Sequence, residues 1–158
     1  MGRDKLQPSM TAITMDQIKQ LRDETGAGVM DVRRALTESG GDVAKAKAWI
    51  EKKGLKRAEE KSERETEAGY VFAYVHFNGR VGALIKLACE TDFVAKTDDF
   101  QTLGKEIAMQ VASMKPASVA ELLAQDYLKD SSKTVETLIK GVTGKTGENI
   151  RVLAIAAL

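Results

Sequence analysis

Between Ile13 and Ile50 the apolar side chains recur at helical spacing, and Ile18, Leu21, Leu36, Val43, Ala46, Trp49 and Ile50 make one small core if the segment folds as three short helices. Thr14 and Gln17 form a capping box at the start of the first, with Ile13 and Ile18 placed for a hydrophobic staple. Gly26 ends that helix, Gly40-Gly41 with capping Asp42 separates the second from the third, and Gly54 closes the third. From Leu55 to Glu67 the pattern becomes almost wholly charged, with Glu60 and Lys61 spaced to pair with Arg64 and Glu65, which predicts a solvated linker helix. Aromatic and β-branched residues then dominate Tyr70 to Phe77 and Arg80 to Cys89, and Asn78-Gly79 between them predicts a hairpin. A two-residue turn there puts Phe72 and Tyr74 on one face with Ala83 and Ile85. Thr91 to Met114 reads as one long amphipathic helix with Phe100, Leu103, Ile107 and Val111 in its stripe, stopped by Pro116. Two shorter helices follow, near Val119 to Gln125 and Val135 to Val142. A terminal strand, Ile150 to Leu158, most simply joins the hairpin in a three-stranded antiparallel sheet.

The fold class is therefore α+β. Residues 1–11 are expected to be a flexible extension, 12–54 a three-helix domain, 55–68 the charged linker helix, and 69–158 an α+β core domain.

The 24 basic and 23 acidic side chains nearly cancel, so no global field favours nucleic acid or a membrane surface, and binding has to be local and shape-driven. One cysteine, Cys89, excludes an internal disulfide framework, and one histidine, His76, leaves no Cys/His zinc cluster. No apolar run reaches bilayer length, Met1 to Met10 lacks a signal-peptide apolar region, and Leu6 stands where a myristoylation motif needs Ser or Thr. A soluble, cytoplasmic protein is expected.

Gly144-Lys145-Thr146 imitates the end of a phosphate-binding loop, but Ile139 occupies the required first glycine position and a helix, not a strand, precedes it. These residues read as a helix terminus and turn. Gly26-Ala27-Gly28 fails as a dinucleotide fingerprint because Asp31 falls at the third glycine. No Ser-His-Asp or Cys-His arrangement is demanded, so no catalytic residue, metal or cofactor is expected. In Cys89-Glu90-Thr91-Asp92-Phe93-Val94-Ala95 an acid and a bulky aromatic stand where a strand gives way to a helix capped by Thr91. Read by residue type alone, Asp92 complements the helix dipole and Phe93 packs inward; the other reading is a wedge for a partner's crevice.

A second segment changes that balance. Thr25-Gly26-Ala27-Gly28-Val29-Met30-Asp31-Val32-Arg33-Arg34-Ala35-Leu36, with Leu21-Arg22 before it and Gly41-Asp42 after it, resembles the amino-terminal domain of translation elongation factor Ts, whose three-helix unit is of the ubiquitin-associated type. Thr91-Asp92-Phe93-Val94 resembles the second signature of the same family, in the same order, and the likeness extends through Tyr74-Val75-His76 to Leu87 and through Thr146 to Val152. The resemblance implies a guanine-nucleotide exchange factor rather than an enzyme, with elongation factor Tu as partner. It implies that Arg22, Val29 and Met30 grip a helix of the partner's nucleotide-binding domain and that His76 also faces the partner. It further implies that Asp92 and Phe93, within the wedge segment Thr91 to Val94, disturb the partner's Mg²⁺ and phosphate site. Val29 stands where Met is common in the family. The link between Pro116 and Val135 is short, and the terminal Leu153 to Leu158 lacks the family's basic and aromatic residues. The resemblance further implies a homodimer, since short members of the family use two subunits to supply what long members hold in one chain. The alternative is a ubiquitin-associated-type binding module on an unrelated α+β scaffold domain.

Overall fold

The computed structural model of the chain describes residues 12–158; the expected extension at 1–11 lies outside them. The chain divides into two compact units between Lys52 and Lys53.

In the first unit, α1 (Met15–Thr25) opens with the complete Thr14/Gln17 capping box and ends at Gly26, whose φ of 65° is the left-handed conformation that a glycine adopts without strain. α2 (Val29–Glu38) follows Gly28, and α3 (Val43–Lys61) starts where the Asp42 carboxylate accepts the Lys45 amide. Ile18, Leu21, Val32, Ala35, Leu36 and Ala46 form the buried core, with Ile13, Val43, Trp49 and Ile50 packed against it. The predicted core holds, with Val32 and Ala35 added.

Gly54 does not close α3. The helix runs on to Lys61, and its last two turns are not a solvated linker, because Ala58 is buried, Gly54 lies against Gly144, and Lys61 Nζ donates to the Gly147 carbonyl. A glycine inside a helix costs about 1 kcal/mol relative to alanine, which close packing of the backbone offsets. A side chain at Gly144 would put its Cβ 2.6 Å from Gly54 Cα.

The second unit is built on an antiparallel sheet of β1 (Ala68–Val75), β2 (Gly82–Cys89) and β5 (Ile150–Ala157), in the order β1-β2-β5. Phe72 pairs with Ile85 and Tyr74 with Ala83, the register expected of a two-residue turn. The tip is wider, because the last ladder bond joins the His76 amide to the Val81 carbonyl, with Gly79 at φ 69° inside the loop. On β5 the register slips between the Lys86–Ala154 and Leu87–Val152 pairs, so Leu153 is an extra residue and both it and Ala154 are exposed.

One sheet face is covered by α5 (Asp98–Met114), whose Phe100, Leu103, Ile107 and Val111 are all buried. Gly104 lets Phe72 lie directly on the helix, and the Phe72 and Phe100 rings meet at 5.9 Å. The single long helix expected from Thr91 is broken. α4 (Asp92–Ala95) ends at Lys96, and the Thr97 hydroxyl caps α5 by accepting the Phe100 amide. Lys115 in a left-handed conformation, followed by Pro116, ends α5.

The short link holds α6 (Val119–Ala124) and a small hairpin that the pattern did not reveal, β3 (Asp126–Tyr127) with β4 (Asp130–Thr134). Gln110, buried on α5, holds it by donating to the Asp126 carbonyl and accepting the Leu128 amide. α7 (Val135–Thr146) continues past Val142, so Gly141 to Thr146 is the body of a helix, capped by Gly147. No described helix is long and apolar enough to cross a membrane.

Candidate functional site

The strand–helix corner after β2 presents a bulky aromatic side chain to solvent. Thr91, in extended conformation, caps α4 by accepting the Val94 amide, and α4 is a single turn. A turn that short holds itself poorly, since helix nucleation is unfavourable. The corner is instead anchored from two sides. Inward, Val94 (8% exposed) and Ala95 lie in the main core with Leu103 and Ile107. Outward, both oxygens of the Glu148 carboxylate are engaged: Oε2 accepts the Thr91 amide at 2.9 Å and Oε1 accepts the Thr91 hydroxyl at 2.6 Å.

Between these anchors Asp92 is exposed and Phe93 is 87% exposed. An aromatic side chain normally contributes large buried area, so a ring held in water beside a carboxylate has no folding role of its own. Of the two readings left open by residue type, the structure excludes the one in which Phe93 packs inward. Beneath the corner lies Cys89, its thiol donating to the Thr91 carbonyl at 3.2 Å. Burial, then the nearby Glu148 carboxylate, pushes its pKa up from 9.0 to about 11.

His76 is half-buried at the hairpin tip, 2.9 Å from the Tyr74 hydroxyl through Nδ1 and against the Phe77 ring at 4.4 Å. Phe77 itself is 94% exposed and was not singled out by sequence; its place beside Asn78-Gly79 was the available signal.

In the first unit Val29 and Met30 open α2 immediately after Gly28, and both are exposed, Met30 by 74%. Arg22 on α1 is exposed as well. The core of this unit is completed by Val32, Ala35 and Leu36 from the same helix, so Met30 is not needed for it.

The family model described as Elongation factor TS matches residues 90–158, a span that begins at the corner and contains Glu148. A curated protein named Elongation factor Ts from Thermotoga neapolitana is 42% identical over 183 aligned positions, covering 89% of this chain and 93% of the relative. The chain belongs to the elongation factor Ts family. It is thereby a translation elongation factor of protein biosynthesis. Elongation factor Ts of Rubrobacter xylanophilus is 39% identical over 184 positions, covering 88% of this chain and 94% of the relative. That of Fervidobacterium nodosum is 46% identical over 145 positions, covering 84% of this chain and 74% of the relative. Alignments of 183 and 184 positions exceed the 158 residues of the chain, so those elongation factor Ts proteins carry residues that this one lacks.

Proposed function

We propose that the chain is a guanine-nucleotide exchange factor acting on elongation factor Tu in the cytoplasm, making and breaking no covalent bond. The observation that carries this reading is Phe93, exposed beside Asp92 on a corner anchored from both sides, in a member of a translation-factor family. Inserted near the partner's bound Mg²⁺ and phosphate, the carboxylate competes for their ligands and the ring takes an apolar crevice. A chain that binds the nucleotide-free partner more tightly than the GDP-bound one weakens GDP by the same factor, since coupling between two ligands is reciprocal. Arg22, Val29 and Met30 then supply grip, and His76 at the hairpin tip a further contact; neither nucleic acid nor membrane is needed.

The second face of the sheet supports pairing with another copy. Val71, Val75, Leu84 and Leu153 are exposed there, and nothing among the described residues covers them. An uncovered apolar sheet face of this kind is the expected seat of a two-fold contact.

The deciding experiment follows labelled GDP leaving elongation factor Tu. The wild-type chain accelerates release in a saturable way. A chain carrying Asp92→Ala and Phe93→Ala stays folded, still binds the nucleotide-free partner, and loses the acceleration. Normal exchange by that double variant would remove the wedge role.

A further inference from the structure

We propose that Glu148 is the positioning residue of the exchange corner, fixing Asp92 and Phe93 in one orientation before a partner arrives. The inference rests on the function proposed above and adds a residue to it.

Phe93 makes no core contact that could set its direction, so its aim is inherited from the backbone of α4. On the amino-terminal side that backbone is held by a carboxylate from 57 residues further along the chain. The Thr91 hydroxyl works in both directions: it donates to Glu148 Oε1 and accepts the Val94 amide. Fixing the hydroxyl on one side therefore fixes the cap on the other. Hydrogen bonds to an ionised acceptor are the stronger kind, and two on one residue define its orientation as well as its place.

Glu148 is itself held. It follows Gly147, whose φ of 81° turns the chain sharply out of α7 and whose carbonyl accepts Lys61 Nζ. Next to it the buried Asn149 donates its backbone amide to Glu90 Oε1 and its side-chain Nδ2 to the carbonyls of Ser62 and Arg64. Arg64 pairs in turn with Glu90 at 3.6 Å. A turn clamped on both flanks leaves the Glu148 carboxylate little freedom except toward Thr91. Because the Thr91 groups lie at the surface, water replaces Glu148 at small cost to stability when it is removed. What is lost is preorganisation, which acts on rate and not on folding.

The test measures GDP release from elongation factor Tu at rising concentrations of wild-type chain, Glu148→Gln, Thr91→Val, the combination of the two, and the Asp92→Ala, Phe93→Ala control, with melting temperatures alongside. Glu148→Gln and Thr91→Val each lower the maximal release rate about tenfold, the scale of one charge-assisted hydrogen bond. The half-saturating concentration stays within about twofold, as for an interaction that acts at the transition state. The combination loses less than the product of the two single losses, because the bond from the Thr91 hydroxyl to Glu148 is common to both. Exchange by Glu148→Gln at the wild-type rate, with the Asp92 and Phe93 control inactive, overturns the positioning role and leaves the exchange function standing. A rate loss that only tracks a lower melting temperature or a raised half-saturating concentration also overturns it. If the wild-type chain itself leaves GDP release unchanged, the exchange reading fails first.

Discussion

Phe93 and Phe100 are seven positions apart and have opposite surroundings, one in water and the other with no exposed surface. Phe100→Ala should cost about 3–5 kcal/mol of stability by emptying the core under the sheet. Phe93→Ala should change it by no more than about 0.5 kcal/mol, as for an exposed position, while lowering GDP release from elongation factor Tu. Urea unfolding of both variants beside the release assay separates these outcomes. At Cys89 the folded pKa of about 11 lies above the reference 9.0, so the neutral thiol contributes stability that is fully present below pH 9. That contribution is lost as the pH rises from 9 to 11, and Cys89→Ala should flatten the decline in unfolding free energy across this window. The acid, ring and cap of the corner were legible as residue types. The exposure of Phe93 and the burial of Val94 were not, because which side of a short turn faces the core depends on a carboxylate far away in sequence.

At the scale of elements, regular stretches with a single apolar stripe were readable: α1, α2, the three strands and the body of α5 follow their periodicity. The misreadings share a cause, namely that glycine and threonine are ambiguous without their neighbours. Gly54 and Gly144 look like helix ends and form a crossing point, at which a Cβ on Gly144 would strike the Gly54 backbone while one on Gly54 would meet only ordinary contact at 3.8 Å. Thr97 looks like an ordinary helix residue and is a cap that splits α4 from α5; Thr97→Ala should cost about 1 kcal/mol, seen as a lower urea midpoint. Gly104 belongs with the crossing points, since any Cβ there would strike the Phe72 ring. Gly104→Ala should destabilise by about 1–3 kcal/mol despite the better helix propensity of alanine, and Phe72→Leu in the same chain should recover part of it. The β3–β4 hairpin escaped notice because its polar sequence has no alternation, and it is held by Gln110 instead of by an apolar face.

For the whole molecule, the proposed grip and the proposed wedge fall in different compact units, Arg22, Val29 and Met30 in the first and Asp92 and Phe93 in the second. Binding and exchange should then be separable by mutation. Met30→Ala should speed dissociation of the complex with elongation factor Tu while leaving the melting temperature of the chain almost unchanged, since Met30 is 74% exposed. A sharp drop in melting temperature would instead make Met30 part of the core. The exposed apolar sheet face predicts self-association, and sedimentation at micromolar concentration should give a two-chain species that Leu84→Lys disrupts. A single one-chain species, alone and in the complex, removes the pair and requires one copy to bring both units to one partner molecule.

The chain carries one thiol, and that thiol lies directly under the corner, bonded to the carbonyl of the residue that Glu148 holds. The Cys89 side chain has no exposed surface, so reagents reach it when the structure over it opens, the corner included. The pace at which a disulfide reagent consumes Cys89 is thus a built-in clock for how often that cover comes loose, readable in the unmodified chain and stopped or hurried by whatever binds on top of it.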